Sequence, residues 1–279
     1  MARLTILNPG FNATIQDMGR LDYREYGVPH SGAMDQDSSR LANRLLNNRD
    51  DDAVIEMTLS GAEIIFSEPT QIAITGAYCK IVVQRMGYES PCVIAVKTGD
   101  VVKIGPAIRG NFIYMSIKEG FQSEESLGSQ SYYPHILDNA LLKKGDHLSY
   151  HRAEKSIDQF DEIPSNLNAS LKAYAGPEFH LLNRKQQEQL LGTSFTISKL
   201  WNRMAYQLNE ILVNDLEAIK SSPVLPGTIQ LTPDGRLIVL MRDAQTTGGY
   251  PRVLQLTEEA VNIISQKRLG EALDFIIKN

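Results

Sequence analysis

The sequence is poor in several features that define whole classes of protein. It has two cysteines, Cys79 and Cys92, each within an apolar run, which is typical of small buried side chains in a reducing compartment. No apolar run approaches the roughly 20 residues that span a bilayer. The apolar stretch at the N-terminus is also far too short for a signal sequence. We therefore expect a soluble, cytoplasmic protein.

Basic clusters and nucleotide-binding motifs are missing as well. The formal net charge is −5 and lysines and arginines do not cluster, so the sequence lacks the positively charged patch that is typical of nucleic-acid-binding proteins. The sequence contains neither a G-x-x-x-x-G-K-[ST] loop nor the Met-Lys-Met segment that carries covalent biotin. We expect any ATP or biotin function to reside wholly or partly on another chain, with no covalent biotin on this one.

The histidines do not predict a metal site. His147 and His151 are four residues apart, but the residues between them resemble the end of a strand. In an extended segment that spacing separates two side chains by about 13 Å, which is too far for them to share one zinc ion. We therefore expect no metal.

What the sequence does have is a series of short β-rich runs separated by glycine, proline and aspartate. Such punctuation is typical of a β-barrel or a β-sandwich. Strands are expected at residues 3–7, 53–57, 62–66, 71–75, 79–84, 92–96, 101–104, 111–117, 170–175, 194–199, 227–231, 236–241 and 253–256. Helices are expected at residues 35–48, 183–191 and 258–267. The predicted fold is mainly β with a few helices.

A polar stretch follows Gly145-Asp146-His147 and divides the strand-rich sequence into two parts. Its composition is typical of a boundary between domains. We expect an N-terminal β-rich subdomain at residues 1–160 and a C-terminal one at residues 161–279.

The segment 27–35, GVPHSGAMD, leads a glycine-bearing loop into the start of a helix. Backbone N–H groups at a helix start favour a carboxylate or a developing oxyanion, so Ser31 and Gly32 are candidate binding residues. Asp35 is a candidate general base. It is equally a candidate N-cap of the helix, and the sequence leaves both roles open.

A second polar segment, Gln16-Asp17-Met18-Gly19-Arg20, lies just upstream. A guanidinium group binds a carboxylate through two parallel hydrogen bonds, so Asp17 and Arg20 could orient a substrate that bears a carboxylate. A buried structural ion pair is the alternative.

The third candidate segment is AQTTGGYP at residues 244–251, directly after an apolar run. Two adjacent glycines and a proline are typical of a turn after a strand. The same residues are also suited to a binding loop, because glycine lets a ligand approach the backbone closely. The sequence alone leaves both interpretations open.

Seven segments together resemble the allophanate-hydrolase-subunit-2-like, or biotin-dependent carboxyltransferase, family across nearly the whole chain. They are PGFNATIQDMGR (9–20), YGVPHSGAMD (26–35), LANRLLNN (41–48), IAITGA (72–77), LKKGDHL (142–148), PGTIQLTPDG (226–235) and DAQTTGGYPRV (243–253). The resemblance implies two cyclophilin-like β-barrel subdomains.

The resemblance also implies a function and partners. It favours one component of an ATP-dependent 5-oxoprolinase, which opens 5-oxo-L-proline to L-glutamate together with a sister B subunit and an A subunit. Two alternatives are a carboxyltransferase that moves a carboxyl group from carboxybiotin to urea or a similar amide, and a regulatory antagonist of a kinase inhibitor. Because a fold alone does not fix function, all three stay open here.

The resemblance gives the candidate segments a common role. In this interpretation Gly248 and Gly249 bring backbone N–H groups to a carboxylate or amide oxygen, and Asp243, Gln245, Thr247 and Tyr250 line the same cleft. Residues Gln16, Asp17, Arg20, Ser31 and Gly32 would face that cleft from elsewhere in the fold. The candidate catalytic residues are Asp35, Asp243 and Tyr250, with one of the two aspartates as general base.

Overall fold

The computed structural model of the protein describes residues 1–153 and 170–278, and its secondary structure is mostly β, as the sequence predicts. The chain divides into two compact units. One contains residues 1–20 and 31–153, and the other contains residues 21–30 and 170–278 of the described chain. The predicted domain boundary between residues 160 and 161 lies outside the described residues.

The first unit consists of two antiparallel sheets and one helix. Its strands are Ala2–Asn8 (β1), Asn12–Gln16 (β2), Val54–Thr58 (β3), Glu63–Phe66 (β4), Thr70–Tyr78 (β5), Lys80–Val83 (β6), Met86–Glu89 (β7), Cys92–Val96 (β8), Val101–Ile104 (β9), Arg109–Ile117 (β10) and His147–Tyr150 (β11). One sheet has the strand order β11-β1-β4-β9-β6-β7 and the other the order β2-β3-β10-β5-β8.

The hydrophobic core of this unit draws on both sheets. Alternate residues of the strands are buried, among them Leu4 and Ile6 of β1 and Ile113 and Met115 of β10. Nearly every residue of β10 is buried. Helix Gln36–Leu45 (α1) explains this burial, because it packs against β5 and β10 and covers the residues that face away from the core.

The second unit has an eight-stranded sheet with the order β20-β13-β14-β17-β16-β19-β12-β21 and a two-stranded ribbon, β15-β18. The strands are Leu171–Ala175 (β12), Phe195–Trp201 (β13), Ala205–Ile211 (β14), Ser222–Pro223 (β15), Thr228–Leu231 (β16), Arg236–Leu240 (β17), Thr247–Gly248 (β18), Arg252–Leu256 (β19), Ala272–Leu273 (β20) and Phe275–Ile277 (β21). The helices are Arg184–Gly192 (α2) and Glu258–Ser265 (α3).

Both helices of the second unit begin where the sequence provides a cap. The Asn183 side chain accepts from the Gln186 backbone N–H while the Gln186 side chain accepts from the Asn183 backbone N–H, which satisfies two backbone donors reciprocally. The Thr257 side chain accepts from Ala260 N at the start of α3. Within residues 1–153 and 170–278, no helix is long and apolar enough to cross a bilayer.

Candidate active site

The segment that contains Ser31 and Gly32 packs directly against the segment that contains Asp17. Both Ser31 and Gly32 have positive φ angles, 58° and 86° respectively. A Cβ atom on Gly32 would lie 2.8 Å from the Gly19 backbone nitrogen, so only glycine fits there. The Ala33 N–H donates to the Asp17 carbonyl at 2.9 Å. The structure therefore brings together two of the segments that the sequence singles out.

Two backbone N–H groups that directly precede helix α1 have acceptors within the protein. Met34 N donates to Glu56 Oε2 at 2.7 Å, and Asp35 N donates to Tyr114 Oη at 2.8 Å. Tyr114 in turn donates to Glu56 Oε2 at 2.9 Å. Burial, with the nearby Glu56 charge second, raises the pKa of Tyr114 well above its usual value, so the hydroxyl stays protonated. Sequence reasoning missed Glu56, which lies in the middle of a buried strand.

Asp35 caps helix α1, which is one of the two roles left open by the sequence. Its Oδ1 accepts from Ser38 N at 3.1 Å and its Oδ2 from the Ser38 hydroxyl at 2.6 Å. The residue is 6% exposed. Its carboxylate therefore satisfies a backbone donor of the first helical turn.

Asp17 and Arg20 both bind the segment that contains Ser129 and Ser131. The Asp17 carboxylate accepts from both serine hydroxyls, at 2.7 and 2.6 Å, and from the Gln130 and Gly19 N–H groups. Arg20 donates to the Ser131 carbonyl at 2.5 Å. With residue exposures of 8% and 1%, the Asp17 and Arg20 side chains hold neighbouring loops together.

Gln16 and Ser31 each retain a buried polar atom. The Gln16 amide nitrogen donates to Thr14 Oγ1 at 3.0 Å. Its Oε1 and the Ser31 hydroxyl have no hydrogen-bond partner in the part of the chain that the structure describes. Buried polar atoms usually have partners, so both atoms are suited to a ligand or a bound water.

The AQTTGGYP segment forms an ordered loop in the second unit. Its Thr247 and Gly248 form strand β18, which pairs with β15. A Cβ atom on Gly248 would clash with the amide nitrogen of Gln230, so this glycine permits a close approach. The Gly249 carbonyl accepts from Ile219 N at 2.9 Å. The loop is thus bound to the preceding segment along its glycines.

Two other side chains of this loop are less tightly held. The Gln245 amide nitrogen lies 3.5 Å from Gln230 Oε1, which is a long hydrogen bond. Tyr250 is 40% exposed. Both side chains therefore remain suited to contact a ligand.

Three ion pairs hold the ends of this loop. Their arginines bind one or both oxygens of a carboxylate, which is the strongest kind of protein hydrogen bond. The pairs are Arg203 with Asp243 at 2.7 and 3.0 Å, Arg242 with Glu258 at 2.5 Å, and Arg252 with Glu178 at 2.8 and 2.9 Å. The hydrogen bond from Arg252 holds the pKa of Glu178 below its usual value. The loop is therefore fixed at its start and at its end.

Sequence reasoning also missed Arg24. This residue precedes the YGVPHSGAMD segment and belongs to the second unit. Its guanidinium donates to the carbonyls of Val224 and Thr246, which flank the β15-β18 ribbon. In the sequence Arg24 is next to Glu25, which is typical of charged residues on a surface. No local pattern therefore indicates that Arg24 binds the Val224 and Thr246 carbonyls.

The predicted site residues thus form two groups. Gln16, Asp17, Arg20, Ser31, Gly32 and Asp35 lie in the first unit, and Asp243, Gln245, Thr247, Gly248, Gly249 and Tyr250 lie in the second. Each group is assembled within its own unit by the contacts described above. The expectation that both groups line one cleft stays a prediction, as do the catalytic roles of Asp35, Asp243 and Tyr250. Among the described residues, no cluster of three His, Cys, Asp or Glu side chains is arranged to hold a metal ion.

Comparison with known proteins gives a consistent match. Residues 26–277 match the family model for the carboxyltransferase domain, subdomain A and B. The chain is 31% identical to the C subunit of 5-oxoprolinase from Escherichia coli, over 98% of this chain and 90% of that protein. It is 37% identical to urea amidolyase of Saccharomyces cerevisiae over 60% of this chain and 9% of that protein.

A solved structure has the same fold. The urea amidolyase of Kluyveromyces lactis superposes with a TM-score of 0.88 at 24% identity, over 99% of this chain. The chain spans 19% of that much longer protein. The superposition shows that the two proteins share this fold.

Proposed function

Because the chain belongs to the carboxyltransferase family of subdomains A and B, we propose that it is one component of an ATP-dependent 5-oxoprolinase, which opens 5-oxo-L-proline to L-glutamate. The observation that carries the proposal is the similarity to the C subunit of 5-oxoprolinase along almost the whole length of both proteins. In this proposal the chain works with a sister B subunit and an A subunit.

The reaction explains why an ordered loop is useful. An amide carbonyl is unreactive, so ring opening requires groups that are already positioned where negative charge develops on its oxygen. The ion pairs at both ends of the AQTTGGYP loop provide that order. Tyr250 is partly exposed and is suited to contact the substrate directly. We assign substrate contacts to Gln245, Thr247 and Tyr250.

The two aspartates differ in their suitability as general base. Both Asp35 oxygens accept from Ser38, which ties that side chain to the helix start. Asp243 is paired with Arg203 at the start of the loop that carries the proposed substrate contacts, and each of its oxygens has a second lone pair for a substrate proton. We therefore assign the general base to Asp243 and the positioning of α1 to Asp35.

The complex uses ATP in this proposal, and nucleotide binding is assigned to another protein of the complex. The absence of a G-x-x-x-x-G-K-[ST] loop in this sequence supports that division. This chain then contributes substrate binding and carbonyl activation.

Reconstitution tests the proposal directly. The chain is purified with its sister subunits, and L-glutamate formed from 5-oxo-L-proline is measured with and without ATP. We expect ATP-dependent glutamate formation that stops when this chain is left out. Glutamate formation at the full rate without this chain would overturn the proposal.

A carboxyltransferase acting on urea is the second candidate. The 37% identity with a urea amidolyase supports it, although the match covers a small part of that protein. The test supplies a carboxylated biotin carrier and urea to the same complex. Transfer of the carboxyl group to urea, without glutamate formation from 5-oxo-L-proline, would favour this candidate.

A further inference from the structure

Arg24 is an arginine whose hydrogen-bonding capacity is partly unused. Its Nη2 donates to the Val224 carbonyl and lies 3.5 Å from the Thr246 carbonyl. Its Nη1 is buried and has no hydrogen-bond partner among residues 1–153 and 170–278. The guanidinium is therefore held in place on one side, while a donor on the other side has no acceptor among the described residues.

Arg24 also has no carboxylate partner in the described part of the chain. Burial lowers its pKa, and in the described part of the chain no carboxylate opposes that effect. Three other arginines of the second unit differ, because each of them has a carboxylate partner: Arg203 with Asp243, Arg242 with Glu258, and Arg252 with Glu178. A partly buried cation without a counter-ion is costly, and an anionic ligand would remove that cost.

A buried acceptor without a partner belongs to the segment that Arg24 contacts. Gln245 immediately precedes Thr246, whose carbonyl lies 3.5 Å from Arg24 Nη2. Gln245 Oε1 is buried and has no hydrogen-bond partner among the described residues. Among the described residues, the segment 245–246 therefore carries one amide acceptor without a partner, Gln245 Oε1, and contacts an arginine that has one donor without a partner, Arg24 Nη1.

From these observations we propose that Arg24 binds the carboxylate of the substrate, so that the site selects small cyclic amides that bear a carboxylate. The inference rests on the proposed function and deepens it. In 5-oxo-L-proline the carboxylate is attached next to the ring N–H, so Arg24 can hold the carboxylate while Gln245 Oε1 accepts from that N–H. Urea has no carboxylate and gains nothing from Arg24. Arg24 is thereby a specificity-determining residue, and no proton moves at it.

The experiment compares two ligands that differ in the carboxylate. Binding of 5-oxo-L-proline and of 2-pyrrolidinone, the same lactam without the carboxylate, is measured by calorimetry on the reconstituted complex. The variants are R24Q, which removes the charge, and R24K, which keeps it. R184Q serves as the surface control, since Arg184 is 93% exposed on α2. Assembly of each complex is checked by gel filtration and circular dichroism.

The expected result concerns the ratio of the two affinities. Loss of a charge-assisted hydrogen bond weakens binding about 10- to 100-fold. The ratio of the affinity for 5-oxo-L-proline to that for 2-pyrrolidinone should therefore be about 10- to 100-fold lower in R24Q than in the wild type. R24K should recover part of the preference, and R184Q should match the wild type. A purely structural role of Arg24 would weaken both ligands equally, because the loop would loosen for both, and that result would overturn the inference.

The outcome also separates this inference from the proposed function. If 5-oxo-L-proline binds with an Arg24-dependent preference but is not hydrolysed, the proposed function fails and the inference stands. If it is hydrolysed and R24Q keeps the full preference, the inference fails alone. If the wild-type complex binds urea and not 5-oxo-L-proline, both fail.

Discussion

Glu56 offers the sharpest test of how the segment GVPHSGAMD (27–35) is held in place. It is 1% exposed and accepts hydrogen bonds from Met34 N and from the Tyr114 hydroxyl. The E56A variant leaves both donors buried without an acceptor. Each such donor costs about 1–3 kcal/mol, so the free energy of unfolding should fall by about 2–6 kcal/mol.

The E56Q variant is the matched control. A glutamine carbonyl oxygen has two lone pairs and can accept both hydrogen bonds, so only the charge assistance is lost. We expect E56Q to cost about 1–2 kcal/mol, since charged hydrogen bonds are stronger than neutral ones by about that much. Urea denaturation followed by circular dichroism measures both values through the shift of the transition midpoint.

Two results would refute the reasoning. Equal destabilisation by E56A and E56Q would show that the negative charge matters and the accepted hydrogen bonds do not. No change in either variant would show that the Met34 and Tyr114 donors find other acceptors. The Y114F variant gives a second measurement, because it removes the acceptor of Asp35 N and should cost about 1–3 kcal/mol.

Three further predictions address other parts of the molecule. The hydrogen bond from Arg252 lowers the pKa of Glu178 below 4.5, so the pair stabilises the fold fully above pH 4.5 and less as the pH falls through the lowered pKa. The difference in Tm between wild type and E178Q should therefore shrink below pH 4.5. A difference that stays constant with pH would contradict this prediction. G32A should cost more free energy of unfolding than G270A in urea titrations, because both glycines have positive φ but only the first lies against other backbone atoms; equal costs would disprove the close contact. D243N replaces the proposed general base, which is also the carboxylate partner of the nearly buried Arg203. Glutamate formation should therefore fall at least about 100-fold while the complex still assembles. Full activity of D243N would show that Asp243 is not the general base.

Hydrophobic pattern was sufficient to locate most of the secondary structure. The predicted strand at residues 92–96 matches β8, and the predicted helix at residues 258–267 contains α3. Strand β2 was missed because its sequence, Asn-Ala-Thr-Ile-Gln, is rich in polar residues even though four of the five are buried. Strand β14 was missed although its Tyr206 and Leu208 alternate as in a half-buried strand.

The site was less predictable than the fold, because its essential contacts join residues that are far apart in sequence. The Arg203–Asp243 pair spans 40 residues and the contact of Arg24 with Thr246 spans 222. The spacing of residues within a short segment does not reveal partners that are 40 or more residues away. The sequence correctly identified Asp35 as a possible cap, because capping depends on a residue three positions away.

The position of Arg24 early in the chain has a consequence for biosynthesis. Residues 21–30 join a unit whose remaining described residues begin at 170, and the Val224 carbonyl that receives Arg24 is made 200 residues later. At about 5–20 residues per second, the ribosome needs about 10–40 s to add that length. During this interval the segment 21–30 cannot contact the rest of the second unit, because the residues that it contacts have not yet been translated. The segment contains Leu21 and Tyr26, which stay largely exposed in the finished protein. Nascent chains stalled before and after residue 224 should therefore differ in protease sensitivity at residues 21–30.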